Sequence, residues 1–106
     1  MQKKLPKFLL AHNHHAGASE NYIVHTQKPN FISQVHHFQN QKEVEIFLLG
    51  TNDLFYKNER YNIVITFISE FYAVNGINSK TSETLERALN WYIQTQVLRP
   101  KKIGSH

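Results

Sequence analysis

Cysteine is missing from all 106 residues, which removes disulfide frameworks, thiolate metal sites and cysteine nucleophiles together. A chain without thiols is compatible with a reducing cytoplasm, and that is the expected location. Acids are scarce as well: eight Asp and Glu stand against twelve Lys and Arg, a formal charge of +4. Such a balance attracts polyanions or acidic protein surfaces at long range. The cations gather at the ends, however, with Lys3, Lys4 and Lys7 at one terminus and Arg99, Lys101 and Lys102 at the other, so solvated tails account for them equally well. Long apolar runs are also lacking. The amino terminus opens like an export signal, but its apolar stretch is only Phe8 to Ala11, too short for that role. No run approaches the ~18 residues of a membrane helix, so no membrane partner is expected. The G-x-S-x-G elbow, the phosphate-binding P-loop, H-E-x-x-H and the Rossmann glycine pattern are absent too, leaving no motif for the common catalytic classes.

What remains is a chain with 41% hydrophobic and 12% aromatic residues, enough for one core. A single domain over residues 1–100 with a flexible tail at 101–106 is the expected organisation. A domain of this size leaves apolar area exposed, which favours partnering. "KFLLAH" from Lys7 reads as a first strand, "NHHAGASEN" as a polar loop, and Tyr22 to Thr26 as a second strand. "QKPN" supplies turn chemistry through Pro29 and Asn30, and Phe31 to Phe38 resumes as a strand whose faces the pattern does not assign. Asn40 followed by Glu43 starts a helix that Gly50 stops, with Val44, Phe47 and Leu48 as its buried side. A strand placing Val44, Ile46 and Leu48 on one face is the competing reading. Turn signals at Asn52-Asp53 and Asn58-Glu59 flank a short aromatic piece, Leu54 to Tyr56. Tyr61 to Val74 is the densest β-branched and aromatic segment. Ile63, Ile65, Phe67 and Phe71 alternate there with Val64, Ile68 and Tyr72, so both faces are apolar, to be covered by a helix on one side and a second copy on the other. From Lys80 to Val97 runs the main helix, capped by Asn78, Ser79 or Thr81, with Leu85, Ala88, Leu89, Tyr92 and Val97 as its stripe and Pro100 as its stop. The fold class that results is α+β: an antiparallel sheet with the C-terminal helix packed across it and a shorter middle helix.

Seven histidines raise the question of chemistry. His12 and His14 point the same way on an extended segment, and His36 or His37 could approach them across the sheet; borderline metals accept imidazole well. Adjacent strand residues face opposite sides, so only one of His36 and His37 can join such a site. With no acid between Met1 and Ala18, the plainer reading is histidines beside a polar or partner-facing surface, and no metal or other cofactor is expected. His14, His15, His37, Lys57 and Arg60 contain the residue types of a small endoribonuclease toxin of the RelE-like kind, although nothing in their spacing requires it. His25, directly before the proline turn, reads as structural: an imidazole bonded to turn backbone while its ring packs on the sheet.

The order Tyr22, Ile23, Val24, His25, Thr26, two variable positions, Pro29, one variable position, Phe31 resembles a segment of the type II-C anti-CRISPR proteins that bind the bridge helix of the RNA-guided nuclease. The similarity extends upstream through Lys4 and Pro6 and downstream to Arg60, Phe67, Ile68 and the closing helix. The resemblance implies a small α/β protein that dimerises, occupies an effector nuclease and performs no catalysis. In that family an acidic dimer groove captures the arginine-rich bridge helix and blocks guide-RNA loading. This chain departs from the family in charge, being basic with sparse acids at Glu43, Glu45, Asp53, Glu59 and Glu70. Capture of a basic helix would need those acids concentrated locally; a guide RNA or another effector would instead favour the Lys and Arg side chains. The expected partner-binding residues are Glu43, Glu45, Phe55, Tyr56, Lys57 and Arg60. Expected partners are a CRISPR effector nuclease, its guide RNA and a second copy of the chain, with an RNA-binding module or toxin as the alternative.

Overall fold

The β-branched segment after Tyr61 does become an interior strand, paired on both sides. In the computed structural model, which describes residues 6–15, 18–70 and 79–98, five antiparallel strands form one sheet: β1 (Phe8–His15), β2 (Ala18–His25), β3 (Phe31–His37), β4 (Phe55–Asn58) and β5 (Ile63–Glu70), in the order β1-β2-β3-β5-β4. Two helices accompany it, α1 (Gln41–Leu49) and α2 (Ser79–Tyr92), the second continued by a π-helical turn, Ile93–Val97. This is the expected α+β fold with a long C-terminal helix across the sheet and a shorter middle one.

Side chains alternate along each strand, so the register decides which residues share a face. Phe8 pairs with His25, His25 with Phe31, Val35 with Ile65, and His37 with Ile63. Phe8, Ile23, Phe31, Val35, Ile63 and Ile65 are therefore on one side, buried beneath Leu85, Ala88, Leu89 and Tyr92 of α2 and the following Ile93. Burying each large apolar side chain contributes about 1.5–3 kcal/mol. The helix α2 lies across the strands: Tyr56 Oη meets Ser82 Oγ at 2.7 Å over β4, and Trp91 reaches Phe8 on β1 with ring centroids 5.5 Å apart.

On the opposite, outer face, α1 covers one end of the sheet. Asn40 caps it, accepting from the Glu43 amide at 2.9 Å, while the Glu43 carboxylate accepts from the Gln39 amide at 2.9 Å. Two otherwise orphaned amides are satisfied in this way, which is why the segment is helical rather than extended. Phe47 packs against His36 at 4.6 Å and Phe38 at 5.2 Å, and Val44 and Val64 are buried. Away from α1, no other described element covers the outer face: Leu9 is opposite Val24, and Val24 opposite Ile32, with Leu9 37% and Ile68 47% exposed.

The structure amends several sequence expectations. The segment from Asn13 to Asn21 was expected to be a polar loop, yet it is strand on both sides of residues 16–17. Cross-strand polar pairs explain this, His12 with Asn21 at 2.6 Å and Asn13 with Glu20 at 3.2 Å, and along β2 Tyr22 Oη donates to Glu20 at 2.9 Å. Such pairs stabilise a strand that carries little apolar side-chain area. The strand expected from Tyr61 begins at Ile63, because Asn62 sits at φ 55 and Asn58 Oδ1 accepts from the Tyr61 amide; a left-handed residue ends the turn. Leu54 to Tyr56 was read only as an aromatic piece; Phe55 and Tyr56 begin the fifth strand. Phe55, Tyr56 and Trp91 are half-buried, and Tyr56 and Trp91 pack against the core. The expected strand end at Phe71 to Val74, the Asn75-Gly76 turn, the Asn78 cap and the tail lie outside the described residues.

The two borders of the sheet differ. On one side β1 offers eight residues, Phe8 to His15, with no Lys, Arg, Asp, Glu, Pro or Gly among them. On the other, β4 has four residues, one of them Lys57.

Candidate functional site

Four described histidines divide between two faces and three tasks. His25 is 3% exposed and its ring lies between Phe8 and Phe31, at centroid distances of 5.1 and 5.4 Å. Its Nδ1–H donates to the Pro29 carbonyl at 2.7 Å; a carbonyl only accepts, so the proton is on Nδ1. Next to it, Thr26 Oγ1 donates to the Pro6 carbonyl at 2.7 Å and the Thr26 amide to the Lys7 carbonyl at 3.0 Å. The Lys28–Pro29 peptide bond is cis. The structural reading of His25 therefore holds: it fastens the β2–β3 turn to the first strand.

His36 and His37 face opposite ways, as their adjacency requires. His36 is on the outer face, its Nε2 bonded to Thr66 Oγ1 at 2.9 Å and its ring against Phe47. His37 is on the helix-covered face at the exposed end of β3, where its Nε2 meets Tyr92 Oη at 2.7 Å. Asn21 Oδ1 accepts from His12 Nδ1 at 2.6 Å, and the Asn21 side chain favours the ionised form of the Tyr92 phenol. One bond thus joins β1 to β2 and another joins β3 to α2. Sequence reading missed Asn21 and took Tyr92 only for a core residue. No local signal links positions 37 and 92.

The expected partner-binding residues do not form one patch. Glu43 and Glu45 are exposed on α1, but Glu43 is committed to the cap. Phe55 and Lys57 point to the outer face, whereas Tyr56 points under α2 to Ser82. Lys57 Nζ pairs with Glu59 at 3.3 Å, and Arg60 sits over the Tyr61 ring at 5.6 Å. Gln41 Nε2 donates to the Glu59 carbonyl and Asn62 Oδ1, so the start of α1 and the β4–β5 turn are tied together. The structure therefore gathers Glu43, Lys57 and Arg60 at one end and separates Tyr56 from them. Of the residues for RNA cleavage, the side chains of His14 and His15 lie outside the described set.

Burial lowers the basicity of His25, His36 and His37 alike. For His25 the Pro29 bond opposes burial while Lys7 and Arg87 reinforce it; for His36 the charge of His37 adds to burial. Burial raises the Tyr92 phenol, against the Asn21 bond. Because the native state favours the three neutral imidazoles, their contribution to stability is complete above the ordinary value of 6.5. It is lost as pH falls through the depressed native values, where the unfolded chain binds more protons. Thermal unfolding between pH 8 and 5 should show a midpoint lower at pH 5 by several degrees, since about 1 kcal/mol moves the midpoint about 4–8 °C in a domain this size. A flat profile across that range would contradict the buried-imidazole account.

The chain matches no protein-family model, no curated protein and no solved structure.

Proposed function

We propose that this chain is a stoichiometric binding protein of the anti-CRISPR kind, which inhibits a CRISPR effector nuclease by occupying it and turns over no substrate. One observation carries the reading. The described imidazoles are spent on internal bonds, while the outer side leaves large apolar groups in water: Leu9 and Ile68 on the sheet, and Ile46 at 62% and Leu49 at 87% exposure on α1. Large apolar side chains left in water mark surfaces for macromolecular contact. Charged groups on the same side are Glu45 on α1 together with Lys57 and Arg60 at the β4–β5 end. Both charge signs are present, so the same side suits an effector protein and the phosphates of its guide RNA. The resemblance around His25 points to type II-C effectors as the first to try, with guide loading as the step blocked. A cytoplasmic location and a dimer belong to the same proposal.

The test mixes untagged protein with a purified type II-C effector, with and without guide RNA, and reads co-elution, target cleavage and RNA integrity. Expected are co-elution at fixed stoichiometry, cleavage inhibited in proportion to the protein added, and intact RNA. Leu49→Asp, exposed and so harmless to folding, should weaken co-elution at least tenfold. Catalytic degradation of RNA by the protein alone would replace this reading with the endoribonuclease one.

A further inference from the structure

We propose that the border of β1 from Phe8 to Ala11 is a docking edge for an extended acidic peptide of a partner protein, which adds to the sheet as a sixth strand beside Trp91 with its carboxylates met by Lys7 and Arg87. This edge is at the opposite border of the sheet from β4 and uses neither Ile46 nor Leu49 of α1, so it stands or falls apart from the effector contact proposed above.

The main chain supplies the recognition. β1 closes the sheet at one side, and among the described residues no strand lies beyond it. The Thr26 amide donates to the Lys7 carbonyl at 3.0 Å, which turns the Lys7 backbone toward β2. Bonded and non-bonded positions alternate along an antiparallel pair, so Leu9 and Ala11 also bond toward β2, while Phe8 and Leu10 direct their amides and carbonyls away from the sheet. Two donors and two acceptors therefore point outward within four uncharged residues that include neither proline nor glycine. An edge of this kind pairs with another extended chain unless charge, a bulge or a cover prevents it, and strand addition is a recurrent mode of peptide recognition.

Side chains on both faces of that border extend the fit. An added strand runs about 4.8 Å from β1. Its inward residues meet Phe8, Leu10 and the half-buried Trp91, whose ring is 5.5 Å from that of Phe8, and its outward residues meet the exposed Leu9. The charge at this border is one-sided. Lys7 precedes the strand, Arg87 stands one helical turn before Trp91 on α2, and both are exposed. Both cations act on His25, the cross-strand partner of Phe8, and neither has an ion-pair partner among the described residues. Carboxylates on the incoming chain neutralise them. A second copy offering its own β1 would not, because that strand holds no acid. Nucleic-acid phosphates, which only accept, would leave the Phe8 and Leu10 carbonyls without donors.

The probe is a short labelled peptide of alternating valine and threonine with a glutamate at each end, titrated with untagged protein and read by fluorescence anisotropy. Expected are saturable one-to-one binding, slowed hydrogen exchange at the Phe8 and Leu10 amides, and NMR shifts at Phe8 to Ala11 and the Trp91 indole. The same peptide methylated on every amide nitrogen keeps its side chains and loses its donors, and should bind about tenfold more weakly or worse. Lysine in place of the glutamates, or Arg87→Gln in the protein, should weaken binding about two- to fivefold, while Lys80→Gln at the far end of α2 leaves it unchanged. Absence of saturable binding, equal affinity for the methylated peptide, or shifts confined to other residues would overturn the assignment. So would sedimentation of the protein alone as a dimer whose Phe8 and Leu10 amides are already protected, which would give the edge to a second copy.

Discussion

Phe31→Ala is expected to lower the unfolding free energy by about 3–5 kcal/mol, the usual cost of deleting a buried aromatic ring. Phe31 is fully buried, and its ring meets His25 on β2 at 5.4 Å and Phe67 on β5 at 5.7 Å. It sits on the strand between those two, so the void would open at the sheet's centre, where no flexible side chain can collapse into it. Domains of this size hold about 5–15 kcal/mol in total, so the variant should be partly unfolded at physiological temperature. Urea denaturation should show a lower midpoint at an unchanged slope. Phe55→Ala, at a half-buried position on the edge strand, serves as the comparison and should cost clearly less. A loss below about 1 kcal/mol at Phe31 would mean the β3 core is not packed as described.

His25→Ala should cost about 2–4 kcal/mol through two separable effects. Removing the ring takes away the contact between Phe8 and Phe31, and removing Nδ1 leaves the Pro29 carbonyl without its donor. His25→Phe restores the ring alone, so the difference between the two variants isolates the hydrogen bond. Both should also flatten part of the acid sensitivity of the wild type, since one of the three imidazoles with depressed basicity is gone. If His25→Ala were as stable as wild type, the turn would be held by Thr26 and the backbone alone.

These effects bear on what the sequence made legible. The His25 assignment, the Asn40–Glu43 cap, the α2 stripe and the alternating faces of the Ile63 segment could be read because each rests on local spacing. The polar β1–β2 extension could not, since its stability comes from pairs seven and nine residues apart in an otherwise hydrophilic stretch. The face of β3 was equally hidden: Phe31, Ser33 and Val35 all point inward, but a buried Ser33, bonded to the Ile23 carbonyl at 3.1 Å, masks the alternation. The His37–Tyr92 bond joins a strand to a helix 55 residues away in sequence, beyond the reach of any motif. The residues that carry the anti-CRISPR resemblance prove to be fold-makers here. His25, Thr26 and Pro29 build the turn, and Phe31 the core. These residues account for the fold of the hairpin, and the proposed partner contact rests on the exposed outer side.

The unequal borders of the sheet set a limit on growth. A further strand finds uncharged, unkinked backbone along β1, whereas β4 is short and carries a lysine, the feature that blocks edge-to-edge pairing. Were two copies to meet β1 to β1, only the guarded borders would remain outward, and the ladder would terminate at ten strands instead of propagating as a fibre.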